Sequence, residues 1–162
     1  MKSRIWKSVS VVALVAMFAF VGTVPSTSAG PGKAGKLEGT WLVEITIRNC
    51  QTGDAVAPPF VSLLTFSRGG TLTESTSRSS PSVRGSGHGS WDRSNGGGYT
   101  ASHTAFLYSP EGAWTGMQKV TQTITIGADP NVFEADAMSQ VTDTSGNVVM
   151  SGCSSAVGHR LE

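Results

Sequence analysis

Helical periodicity is missing from this chain beyond its first few dozen residues. From Gly39 onward no ten-residue stretch repeats its apolar positions at helical spacing, which argues against helical bundles and alternating strand–helix folds. Cysteine is scarce as well, with Cys50 and Cys153 the only two in 162 residues. Two sulfurs cannot make a four-cysteine zinc site or a dense disulfide scaffold. Charged residues make up only 14% of the sequence and form no basic run, so nucleic acid and anionic membrane are poor partners. A Gly-x-Ser-x-Gly elbow, a phosphate-cradling glycine loop and a His-Glu-x-x-His pair are all absent. The one glycine-rich run, "NGGG", lies between two expected strands and not before a helix. No cofactor is expected, and catalysis ranks behind binding as a function.

The single long apolar run is at the start. Lys2, Arg4 and Lys7 precede an apolar core at residues 9–24, and Thr27, Ser28 and Ala29 supply small residues for cleavage. This is the layout of a secretory signal peptide over residues 1–29. The apolar core is about 16 residues against the roughly 20 of a spanning helix, and Pro25 follows it. With no cysteine in the leader and cleavage near Ala29, no membrane anchor is expected afterwards. Removing the three leader cations leaves 9 Lys and Arg against 11 Asp and Glu, a mature charge near −2. The exported compartment is oxidising, so Cys50 and Cys153 are expected to pair.

Residues 30–38 read as a flexible lead-in and residues 39–162 as one β domain. Short segments alternate apolar and polar residues between Gly, Asn, Asp, Ser and Pro clusters. They fall at about 41–48, 60–66, 71–77, 88–93, 99–108, 115–126, 132–142 and 148–157, with a long polar loop over residues 77–87. Eight sequential strands joined mostly by hairpin-length turns, with no crossover helix, predict an antiparallel meander. Such a meander can close into an up-and-down barrel and so remove its exposed edges. A β-sandwich is the alternative architecture. In a closed barrel the first and eighth strands are neighbours. Placing Cys50 opposite Cys153 puts Arg160 beside Val43 and within reach of Trp41.

"LEGTW" on the first strand and "GHRLE" on the last carry a resemblance. A Gly-x-Trp pair with an arginine on the closing strand resembles the lipocalins and the wider calycin barrels. In that family the arginine packs across the tryptophan and closes the barrel floor. The resemblance implies structural roles for Gly39, Trp41 and Arg160. Allene oxide cyclases have a similar barrel, which keeps an isomerase or cyclase among the alternatives.

The histidines are His88, His103 and His159. With the cysteines oxidised, a zinc site needs all three or a carboxylate, and no metal site is expected. The register of strands four and five decides where His88 points. Pairing Arg93 with Gly98 puts His88 and His103 on one face. Pairing Arg93 with Tyr99 sets Gly89 opposite His103 and Trp91 opposite Ala101. The second register gathers Trp91, Tyr99, Ala101, Ala105 and Leu107 inside and turns His88 outward, and burial of the apolar set favours it.

Four residues are then candidates for holding a small apolar ligand in the barrel mouth: Phe66, Trp91, Tyr99 and His103. A structural or protein-binding module with a solid core is an alternative, with Leu42, Val61 and Leu63 leaning outward. The isomerase alternative uses His103 and Tyr99 as acid and base. The loop at 77–87, carrying Arg78 and Arg84, is a candidate lid. Nothing in the sequence sets the oligomeric state.

Overall fold

The structure is a computed structural model, and it describes residues 37–162. The expected leader and most of the lead-in lie outside the described residues. Eight strands follow in chain order: β1 (Gly39–Arg48), β2 (Phe60–Ser67), β3 (Thr71–Thr76), β4 (Gly87–Arg93), β5 (Tyr99–Tyr108), β6 (Trp114–Ile126), β7 (Val132–Thr142) and β8 (Val148–Arg160). Each pairs antiparallel with its neighbour in sequence, and β1 pairs with β8 to close the barrel. The meander therefore closes on itself and the sandwich alternative is excluded. This architecture is compatible with a calycin-like fold.

Alternation explains the closure. On β1, Trp41 and Val43 are buried between exposed Leu42 and Glu44. On β5, Tyr99, Ala101, His103 and Ala105 are all buried. Each strand thus presents one inner face, and rolling the sheet up buries all eight without leaving an unpaired edge. The β4–β5 register pairs Gly89 with His103, Trp91 with Ala101 and Arg93 with Tyr99. His88 consequently faces solvent, beside Thr73 and Thr104.

The seam differs from expectation by two residues. Trp41 pairs directly with Arg160, and the ladder runs to Arg48 opposite Cys153. Cys50 lies two residues beyond that last pair, and it bonds Cys153 with Cα atoms 5.2 Å apart. The sulfur bridge is diagonal because the chain leaves β1 at Arg48 and turns before reaching Cys50.

One end of the barrel is filled by rings. Trp41 packs on Phe133 at 4.9 Å between centroids, Phe66 meets Phe133 and Trp91 edge-on, and Trp91 lies 5.7 Å from Tyr99. The Arg160 guanidinium sits 4.2 Å from the Trp41 ring centroid and donates to the Glu38 carbonyl. Trp41 Nε1 donates to the Leu37 carbonyl at 2.9 Å. Gly39 has φ +122°, and a Cβ there would strike the Arg160 guanidinium. Only glycine lets the chain turn beneath the arginine. The Gly39, Trp41 and Arg160 geometry is that of a closed floor.

Candidate functional site

Above the floor the interior changes character. Moving two residues along a strand keeps the same face, so the second layer follows from the first. Leu72 leads to Glu74, Phe66 to Leu64, Ala101 to His103 and Ile124 to Gln122. This layer carries buried Glu74, His103 and Gln122 together with buried Ser62. Beyond it, toward the end bearing the long connections 49–59 and 77–86, lies a cavity of about 240 Å³. Val43, Ile45, Leu64, Val120, Ala137 and Ala156 form its walls, and Ile47, Phe60, Arg78, Leu107 and Val141 surround its outer part. Glu74, Arg84, His103, Gln118 and Gln122 line it as well.

Glu74 and Arg84 form a buried ion pair. Arg84 Nη1 lies 2.9 Å from Glu74 Oε2, with side chains 7% and 4% exposed. Arg84 Nε donates to Gln118 Oε1 at 2.7 Å, Nη1 also reaches the Gly85 carbonyl at 3.2 Å, and Ser62 Oγ donates to Glu74 Oε1 at 3.3 Å. Four elements therefore converge on one carboxylate–guanidinium pair, and its two charges cancel inside the barrel.

Arg84 reaches inward because its loop is fixed to the sheet. Gly85 N donates to the Phe106 carbonyl at 3.0 Å, and Tyr108 N donates to the Val83 carbonyl at 2.9 Å. The segment is tied along β5, in line with β4, and its arginine plugs the gap between β3 and β5. The loop considered above as a lid is thus, at Val83–Gly85, an extension of the wall.

Glycine makes the room. A Cβ at Gly87 would fall 2.7 Å from the His103 ring and 2.8 Å from Glu74 Oε2, while one at Gly89 would collide with the backbone of Ser102 and His103. The glycines flanking His88 thus serve Glu74 and His103 on the inner face, not His88.

His103 is 5% exposed. Burial lowers its pKa from the usual 6.5, with the Arg84 charge acting in the same direction and Glu74 opposing. The imidazole is therefore neutral at pH 7. Its Nε2 faces Glu74 Oε2 at 3.9 Å, too long for a hydrogen bond. Its Nδ1 has no protein partner, and neither has the buried Gln122 Nε2. Polar groups this deep normally find partners.

A pH dependence follows from the depressed value. Between 6.5 and the lower folded value the unfolded chain binds a proton that folded His103 does not. Stability is therefore complete above about pH 6.5 and is lost as the pH falls through the folded value. The melting temperature of the wild type is expected to fall more steeply over this interval than that of His103→Phe. Parallel curves for the two proteins would count against the assignment.

Of the four ligand candidates, His103 lines the cavity. Phe66, Trp91 and Tyr99 do not; they belong to the ring-packed closed end, where Trp91 Nε1 donates to the Ser67 carbonyl at 3.0 Å. The large rings gather around the Trp41–Arg160 pair, and smaller side chains are left at the other end. Glu74, Gln118 and Gln122 escaped the sequence reading, although Glu74 shares the parity of Leu72 and Gln122 that of Val120 and Ile124. Tyr99 and His103 are not brought together in the cavity. No group of three or more metal-ligating side chains is found among the described residues.

The sequence matches no family model and no curated protein. What the site can do rests on its geometry. The outer face of the barrel adds one further feature: Leu42 pairs with Leu63 near Val61 and Val157, each 39–45% exposed.

Proposed function

We propose that this is an exported, lipocalin-like binding protein whose barrel holds a small, largely apolar molecule. The observation that carries this reading is the cavity of about 240 Å³, apolar along its walls, with two unpartnered buried polar atoms at its inner end. Ligand sites are typically concave and mostly apolar, with a few placed polar groups. A dry cavity of about 150 Å³ can hold benzene, so this one suits a molecule of roughly ten non-hydrogen atoms. A solid-core module would need this space filled. An acid–base pair of His103 and Tyr99 would need Tyr99 in the cavity, where it is not.

Export is supported by the leader pattern and by the disulfide, which is compatible with an oxidising compartment. No helix among the described residues is long and apolar enough to cross a membrane.

Native mass spectrometry of the protein purified from its own source tests the binding reading. A bound small mass is expected in the wild type and is expected to be lost in Ala137→Phe, which fills the cavity while the barrel stays folded. Repeated absence of an adduct in the wild type, or its persistence in folded Ala137→Phe, would sink the proposal.

A further inference from the structure

We infer that the ligand is an uncharged molecule whose polar end is a hydroxyl, held between His103 Nδ1 and Gln122 Nε2. This rests on the binding reading above and goes on to name the chemical class. His103 pairs across the sheet with Val120, and Ala101 pairs with Gln122, so the two side chains are diagonal neighbours on one inner face. At this separation long side chains can share a contact. Both are more than nine-tenths buried and both line the cavity.

Hydrogen-bond polarity selects the group. His103 Nε2 faces the Glu74 carboxylate, which favours the proton on that nitrogen. Nδ1 is then left as an acceptor. Gln122 Nε2 is a donor. A group that satisfies both must donate one hydrogen bond and accept another, as a hydroxyl does. An ether can only accept, and it leaves Nδ1 unpaired. A carboxylate repels the Nδ1 lone pair, and an ammonium cannot accept from Gln122.

Net charge selects the same way. Glu74 and Arg84 already neutralise each other, and Arg84 Nε and Nη1 are engaged by Gln118, Glu74 and Gly85. A further ion at the inner end would enter an apolar interior without a counter-charge. Arg78, stacked over Phe60 at 5.2 Å near the mouth, is the cation an anionic head would meet, and it lies at the other end of the cavity.

Isothermal titration of the folded protein at neutral pH with n-octanol, octyl methyl ether, octanoate and octylammonium decides the matter. Octanol is expected to bind about tenfold more tightly than the ether and than either ion, the usual scale for leaving a buried polar group unpaired. His103→Phe, similar in size but without the Nδ1 acceptor, is expected to abolish the preference over the ether. Equal binding of octanol and ether by the wild type, tighter binding of octanoate, or a preference that survives in His103→Phe overturns the hydroxyl inference and leaves the cavity reading standing. Failure of every congener to bind overturns both. The wild-type series stands even if the variant does not fold.

Discussion

Arg84→Met is expected to destabilise the barrel by about 3–5 kcal/mol in urea unfolding at neutral pH, because it leaves the Glu74 carboxylate buried without its counter-ion. Glu74 is 4% exposed, and its remaining hydrogen bond is from Ser62. That single neutral donor cannot replace hydration of a carboxylate. The double replacement Glu74→Gln with Arg84→Met is expected to recover most of the loss, since it removes both charges and keeps the side-chain volumes. The comparison separates two ideas that single substitutions confuse. If the pair itself holds the barrel together, the double variant stays as unstable as the single one. If the cost is that of an orphaned charge, the double variant approaches wild-type stability. A loss below about 1 kcal/mol in Arg84→Met would mean that Glu74 is not held as a buried anion.

The second expectation explains why such a pair would occur here. Apolar residues would stabilise the interior equally well, so stability gives no reason for Glu74 and Arg84. They do set the field around His103. Glu74 faces one imidazole nitrogen and thereby orients the other as an acceptor in the cavity. The double variant should therefore keep its fold while losing the polar selectivity of the site.

Much of the fold was legible in the sequence, because inner and outer faces alternate with a period of two. Trp41, Val43 and Ile45 set the inner face of β1, and the apolar set of β5 fixed the β4–β5 register against the slip that would have turned His88 inward. The site was less legible, for two physical reasons. Aromatic residues mark burial, not ligand contact, and nothing along the chain says which barrel end they fill. Phe66, Trp91 and Tyr99, which their aromatic character suggests as a mouth, lie in the floor. The ion pair joins Glu74 on β3 to Arg84, ten residues on in a loop with no periodic pattern. Parity alone would have turned Glu74 and Gln122 inward, but it could not have supplied the arginine that makes a buried glutamate tolerable.

Opening the Cys50–Cys153 bridge is expected to lower stability by about 4.7 kcal/mol, the entropic scale for cross-linking a loop of about 100 residues; the two cysteines are 103 residues apart. For a domain of this size that corresponds to a melting temperature roughly 10–20 °C lower. The fold itself should survive. The β1–β8 seam runs through eight residue pairs from Trp41–Arg160 to Arg48–Cys153, and at the floor Arg160 over Trp41 holds it without sulfur. The loss should be uneven along the seam. Amides of Ile47 and Arg48, at the bridged end, are expected to exchange faster in a Cys50→Ala/Cys153→Ala variant, while those of Trp41 and Val43 change little relative to the global stability. Ile47 borders the outer part of the cavity, so loosening this corner loosens the mouth before the floor. Unchanged stability in the double alanine variant would show that hydrogen bonding closes the barrel and the bridge does not. Exchange that quickens equally at both ends would show that the bridge acts on the whole seam and not on its own corner.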